Sequence, residues 1–381
     1  MRVAVNAEQL LYRSPGGIGR YTAALLTVLP AGAPDLEMVP FTALHPDGRV
    51  AAALGQAGVD EPTRRRRVVL PWPRPLLYDG WHRLGRPGLG RAGRVDLVHA
   101  PSVAVPPAGR APLVVTVHDA APELFPEAFP PRGLRFHRRG LAAAASRADL
   151  VITVSEAAAE EIVSHSAIPA GRIRVVHNGV AARHVTPEAR RRVLDRRGLG
   201  DRPYVLWVGS LEPRKGVGTL VAAMARLAER GTGGDARTVL AGFDGWLSDD
   251  LIGPADRAAL GDSLRQIGRV TEEELWCLYS GAALFAFPSR HEGFGLPVVE
   301  AMTQGVAVVA SDIPAVREVA GGAAVLVPPD DPAAWADAIE GLLGDEAARA
   351  RLGRAGVDRC GRFSVARWAE CTRAVYQEIG S

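Results

Sequence analysis

The residue types best suited to chemistry in this sequence sit in glycine-containing turns that follow short apolar runs. The most informative stretch is Phe287-Pro-Ser-Arg-His-Glu-Gly-Phe-Gly-Leu-Pro-Val-Val-Glu-Ala-Met-Thr-Gln-Gly, ending at Gly305. The apolar run from Ala282 to Phe287 reads as a strand, Pro288 to Gly295 cannot continue it, and Pro297 falls where a first helical turn accepts proline. Glu292 is therefore expected in a loop and Glu300 about a turn into the following helix. Amides at Phe294, Gly295 and Leu296 point out of that helix start and suit a phosphate or sugar oxygen. A second turn, Ser210-Leu-Glu-Pro-Arg-Lys-Gly, sets Arg214 beside Lys215, a guanidinium and an ammonium able to neutralise a phosphate-rich group. His118 ends the run Leu113-Val-Val-Thr-Val-His, at the carboxyl edge where doubly wound sheets place ligands. Gly16 and Gly17 follow the strand Arg2 to Asn6 in the turn Ser14-Pro-Gly-Gly-Ile-Gly-Arg, where glycine lets backbone approach an anion. Each feature has an ordinary reading when taken alone: surface acids, a structural histidine, a solvated Arg-Lys pair, a turn made for packing. His99, which ends the run Asp96-Leu-Val-His, is read as structural.

These residues need elements to position them, and the chain supplies the same order twice. With 381 residues it is too long for one ordinary core. The first half alternates strands (Arg2 to Asn6, Leu36 to Phe41, Arg66 to Leu70, Asp96 to Pro101, Leu113 to Asp119, Leu150 to Val154) with helical patterns at Tyr21 to Leu29 and Gly133 to Ser146, and Ile173-Arg-Val-Val-His-Asn-Gly-Val closes it. Ser155, followed by acids, reads as the cap of another helix. After a polar, arginine-rich segment the alternation restarts with Tyr204 to Gly209, a helix from Val217 to Glu229, and Thr238 to Gly242 before a Gly- and Asp-rich excursion. A strand near Gln266, a Thr271-capped helix, strands at Val306 to Ala310 and Ala324 to Val327, and helices at Pro332 to Leu343 and Val365 to Ile379 complete it. Strand, glycine turn and helix in repetition predict an α/β fold of doubly wound sheets. The expected boundaries are 1–182, a linker at 183–202, a second domain at 203–364 and a terminal helix at 365–381 that packs back on the first domain.

Composition narrows the function classes. The chain is 47% hydrophobic and 23% charged, with a net charge of +3, values of an ordinary globular protein with too small a basic excess for nucleic-acid binding. Arg64 to Arg67, and Arg132, Arg135, Arg138 and Arg139, read either as solvated faces or as a peripheral contact with an anionic membrane. The segment from Pro71 to Leu84, with Trp72 and Trp81, reads equally as an acceptor-facing loop and helix or as a hydrophobic edge. Cys277, Cys360 and Cys371 match no disulfide or metal spacing and point to a reducing compartment. The start at Met1-Arg-Val-Ala-Val-Asn is a strand rather than a leader, and no window approaches 18 apolar residues, so a cytoplasmic protein is expected.

The pattern E-G-F-G-L-P-x-x-E-A-M from Glu292 to Met302, followed by Gly305-Val-Ala-Val-Val-Ala-Ser-Asp and Pro314-Ala-Val-Arg-Glu, resembles the donor-binding signature of retaining family-4 glycosyltransferases of GT-B fold. The frame V-G-S-L-E-P-R-K-G up to Gly216, the H-D-x-x-P-x-x-x-P segment from His118, and R-I-R-V-V-H-N-G-V ending at Val180 are similar to the same family. The resemblance implies two Rossmann-like domains facing across a cleft that closes over the substrates. It implies transfer of a hexose, mannose or a related sugar, from a GDP- or UDP-linked donor to a hydroxyl of a glycan, a lipid-linked saccharide or a small molecule, with retention. The sequence offers no carboxylate pair for an essential metal, so no metal or further cofactor is expected beyond an adventitious Mg²⁺ on the diphosphate. Residue by residue, the resemblance assigns catalysis to His118, Arg214, Lys215 and Glu292. Donor contacts fall on Gly16, Gly17, Gly209, Arg269, Val270, Gly293, Phe294, Gly295 and Leu296, and on Glu300 towards ribose hydroxyls. A retaining hydrolase would need its two carboxyls about 5 Å apart, a spacing that a loop Glu292 and a helical Glu300 are not held to. A nucleotide-sugar 2-epimerase and a non-catalytic sugar-nucleotide-binding partner remain as alternatives.

Overall fold

The computed structural model describes residues 1–13, 15–33, 35–245 and 251–380. Ser14 of the glycine turn and residues 246–250 of the Gly- and Asp-rich excursion lie outside the described residues. The chain forms two compact units: Met1–Gly179 joined by the C-terminal segment from Val365, and Val180–Ser364.

The first unit holds a seven-stranded parallel sheet of β1 (Arg2–Asn6), β2 (Glu37–Thr42), β3 (Val68–Val69), β4 (Leu97–Ala100), β5 (Leu113–Thr116), β6 (Leu150–Thr153) and β7 (Ile173–Val175), in the order β3-β2-β1-β4-β5-β6-β7. Its apolar runs are continuous because both faces are covered, and the period of two divides them between two cores. Ala4, Phe41, Val98 and Val115 face one way, with Leu77 and Trp81. Val3, Val5, Met38 and Val114 face the other, with Leu25, Leu29, Trp368 and Tyr376. Trp81 is thus fully buried, its indole N–H donating to Pro87 O at 3.0 Å.

The second unit holds a six-stranded parallel sheet of β8 (Tyr204–Leu211), β9 (Arg237–Asp244), β10 (Leu264–Gly268), β11 (Leu284–Phe287), β12 (Val308–Ser311) and β13 (Val325–Val327), in the order β10-β9-β8-β11-β12-β13. Sequence order reverses between β1 and β4 in one sheet and between β8 and β11 in the other. Doubly wound sheets bind ligands at the carboxyl ends of strands at such switch points.

The first helix, Gly16–Ala31, begins earlier than its apolar pattern, so Gly16, Gly17 and Gly19 form its opening turn rather than a loop before it. A Cβ at Gly19 would lie 2.2 Å from Pro15 Cβ, so the glycine serves close packing that overrides its poor helix propensity. The helix Glu346–Cys360 is absent from the apolar periodicity for a related reason. It meets its neighbour through glycines, a Cβ at Gly353 falling 2.0 Å from Gly305 O and one at Gly356 falling 3.0 Å from Met302 Cγ. The run Arg64–Arg67 is tied up in ion pairs with Glu61, Glu37 and Asp47 and is no free cationic strip. No helix among the described residues is long and apolar enough to cross a membrane.

The helix Val365–Gly380 belongs to the first unit through a buried polar chain. Tyr376 OH and His99 Nδ1 are 2.5 Å apart, His99 Nε2 and Thr116 Oγ1 2.8 Å, and Thr116 Oγ1 and Tyr21 OH 3.0 Å. Burial pushes His99 down to about 3, so the neutral ring joins the chain. Tyr376→Phe strips a partner from a fully buried ring nitrogen and should cost about 1–3 kcal/mol. A urea midpoint equal to that of the wild type would refute this role.

Candidate functional site

β8 and β11 are neighbours, and the loops leaving their carboxyl ends, Glu212–Gly216 and Pro288–Gly295, are fastened together. Gly216 has φ +63°, and a Cβ there would lie 1.9 Å from Pro288 O, so only glycine allows the loops to touch. Arg290 N donates to Arg214 O at 2.8 Å, and Arg214 Nη1 donates to His291 O at 2.7 Å. Lys215 Nζ donates to Glu292 Oε1 at 2.7 Å, with Arg214 Nη1 3.7 Å from Glu292 Oε2. Arg214, Lys215 and Glu292 are thus brought into one cluster, their side chains only 13%, 15% and 10% exposed. Burial by itself would raise the Glu292 carboxyl, but the Lys215 ammonium and then the Arg214 guanidinium outweigh it and hold the group below its ordinary value.

Gly293 and Phe294 lead into the helix Leu296–Thr303, and Phe294 is locked edge-on against Phe363 at 5.5 Å. Gly295, which has no side chain of its own to cap the helix, takes φ +100° at the N-cap. Pro297 occupies the first turn, and Glu300 is buried one turn further, accepting from Tyr279 OH at 3.0 Å. Gly209 lies opposite Gly242 near the carboxyl end of β8, where a Cβ on Gly242 would fall 1.6 Å from Gly209 O. The exposed Arg269 lays its guanidinium 4.5 Å from the centroid of the Phe243 ring, and Val270 beside it is half-buried.

In the first unit, Gly16 and Gly17 are exposed at the start of the first helix, and Tyr21 one turn on meets the His118 ring edge-on at 5.1 Å. His118 is half-buried, and its Nε2 donates to Pro101 O at 3.0 Å, which leaves Nδ1 as an acceptor in the neutral ring. Burial lowers its pKa, against a smaller opposing effect of the Pro101 bond. His99 lies in the buried chain described above and carries no exposed function.

Sequence reasoning missed Glu212. It is buried beside Arg214 Nη2 at 4.0 Å, with Ser210 Oγ donating to its Oε1 and, among the described residues, no hydrogen bond to its Oε2. An acid two residues before an arginine reads as surface charge; only the burial of the loop makes it part of the cluster. Among the described residues, no group of three or more His, Cys, Asp or Glu could hold a metal.

A switch-point site of clustered cations and a glycine-led helix start, in each case on a doubly wound sheet, marks a protein class that handles phosphorylated ligands. The family of glycosyl transferases group 1 matches residues 192–359, and glycosyltransferase family 4 matches residues 15–184. The chain belongs to the family-4 glycosyltransferases, and its fold is GT-B, with two Rossmann-like domains. It is 28% identical over 378 residues to the O-antigen chain mannosyltransferase B of Escherichia coli, covering 98% of this chain and 97% of that one. Other curated relatives align over shorter stretches, the chain spanning 62% of the length of one and 56% of another. In fold it is similar to sucrose-phosphate synthase from Thermosynechococcus elongatus, with a TM-score of 0.77, 22% identity, and coverage of 99% of this chain and 98% of that one. It is also similar to Anabaena HepE in complex with UDP and glucose, with a TM-score of 0.73, 20% identity and 99% of each chain covered.

Because the folded Glu292 carboxyl lies below its unfolded value, its contribution to stability is complete above the ordinary carboxylate range and is lost as pH falls through the folded value. Wild type should therefore lose more stability than Glu292→Gln on acidification below about pH 4. Urea melts across that range would count against the ionised pair if the two curves ran parallel.

Proposed function

We propose that this glycosyltransferase is a retaining hexosyltransferase. It moves mannose or a related hexose from a GDP- or UDP-sugar to a hydroxyl of a glycan, a lipid-linked saccharide or a small metabolite, without a metal or further cofactor. The observation that carries the reading is the buried cluster of Arg214, Lys215 and Glu292 beside the glycine-led start of the helix Leu296–Thr303. Breaking the bond from the anomeric carbon sends its electron pair to a diphosphate oxygen, so the barrier falls where cations already face that oxygen.

Charge accounting gives each residue a part. Arg214 and Lys215 stand against Glu212 and Glu292, so the cations are internally compensated. A diphosphate replaces Glu292 as the partner of Lys215, and Glu292 is released to accept from a sugar hydroxyl. Amides from Gly293 to Leu296 take donor oxygens, Glu300 the ribose hydroxyls, Gly209, Arg269 and Val270 the nucleotide, and Gly16 and Gly17 the diphosphate. His118, neutral and with Nδ1 able to accept, receives a sugar hydroxyl. Alignment with the E. coli O-antigen chain mannosyltransferase across both chains supports mannose and a glycan acceptor, and the UDP and glucose held by HepE support a nucleotide-linked hexose.

A thermal-shift panel of GDP, UDP, ADP and their sugar conjugates tests the donor site. A ligand at about 100 times its Kd should add about 2.7 kcal/mol, with one base preferred and the shift lost in Lys215→Ala. No shift from any nucleotide would sink the reading. Turnover that altered the sugar without releasing nucleoside diphosphate would indicate an epimerase instead.

A further inference from the structure

The helices Arg74–Leu84 and Pro131–Arg147 of the first unit, with Tyr12, line a cavity of about 760 Å³, a volume ordinary for a small-molecule site. Its charged lining is Arg74, Arg83, Arg132, Arg135 and Arg139 against one carboxylate, Asp79, so four positive charges are uncompensated. Asp79 lies 3.4 Å from Arg139, and the Arg74 guanidinium lies 4.4 Å from the centroid of the Tyr12 ring. Arg83, Arg132 and Arg135 have no ion-pair partner among the described residues. That differs from Arg138 on the same helix, which lies outside the cavity and is paired with Glu123 at 3.1 Å.

The lining is also aromatic. Tyr78 and Phe136 stack at 5.4 Å and 26°, and His82 lies against Phe136 at 5.3 Å. Burial pushes His82 down to about 4, so the positive charge comes from guanidinium groups alone. Neither helix has an acid in its first turn, and each carries an arginine there, a placement the helix dipole disfavours unless an anion lies between. Tyr12, Arg74 and Pro130 lie on segments that follow β1, β3 and β5, the side on which doubly wound sheets take ligands. Guanidinium forks match phosphate oxygens, and the aromatic lining offers apolar surface to a sugar ring.

We propose that this cavity binds the sugar acceptor through a phosphate group that the acceptor carries, with its saccharide against Tyr78 and Phe136. The inference rests on the transferase reading and names the acceptor class which that reading leaves open.

Glucose 1-phosphate serves as the soluble probe, glucose as its uncharged counterpart, and phosphatidylcholine vesicles containing phosphatidic acid as the membrane-borne phosphate. Calorimetry and vesicle co-sedimentation use the full chain. Phosphate probes should bind and glucose should not. Arg135→Gln should weaken binding about tenfold, while Arg138→Gln, which removes the same charge from the same helix, should weaken it less than about twofold. Binding of glucose 1-phosphate alone supports a free phosphosugar acceptor, and binding of vesicles alone supports a lipid-linked one. Equal binding by Arg135→Gln and wild type, or equal weakening by both variants, overturns the proposal, because the phosphate is then held elsewhere or by diffuse charge. Both arginines are on the surface, and circular dichroism verifies the fold of each variant. The Lys215-dependent nucleotide shift is read on the same preparations. Its absence with phosphate binding intact counts against the transferase reading, and the reverse pattern counts against the cavity alone.

Discussion

Lys215 donates to Glu292 over 2.7 Å and closes one loop on another at the point where strand order reverses in the second sheet. A buried ion pair of this kind gives little net stability, because desolvation offsets most of the attraction. It does fix geometry. With Gly216 admitting Pro288 O and Arg214 holding His291 O, the two loops have one register, and the helix Leu296–Thr303 starts from a fixed place. The cluster is neutral in sum, and in the reading we propose its cations exchange one anionic partner for another when a phosphorylated ligand arrives.

The first unit uses a different device. Tyr376, His99, Thr116 and Tyr21 form a buried polar chain that ties the C-terminal helix to the sheet, and the last of these packs against His118. A neutral histidine makes this workable, because a charged one in the same place would carry a large desolvation cost. The far end of the sequence thereby sets the surroundings of a residue at the carboxyl end of β5.

Arginine carries most of the cationic character of this chain, and pairing decides what each one does. Arg64 to Arg67 meet acids on neighbouring segments and become ordinary surface structure. Arg214 is buried among Glu212 and Glu292 and becomes part of the donor site we propose. Arg83, Arg132 and Arg135 line a cavity that also holds aromatic rings, and have no ion-pair partner among the described residues. The residue type is the same throughout; burial and counter-charge differ.

Much was legible in the sequence. Apolar runs of four to six residues bounded by glycine turns determine parallel strands covered on both faces, and the loop around Glu292 and the turn around Lys215 announce themselves because glycine, proline and charge fall where backbone must bend towards an anion. Periodicity could not find the helix Glu346–Cys360 or the true start of Gly16–Ala31, since both pack through glycines whose value is the absence of a side chain. Nor could it give Glu212 its place, join Tyr376 to His99, or bring the arginines of two helices around one cavity. Local pattern determines which elements form, because propensity and burial act along the chain. Which charges meet and which lack a partner was decided only by tertiary structure, because Coulomb and desolvation energies depend on distances that sequence separation does not encode.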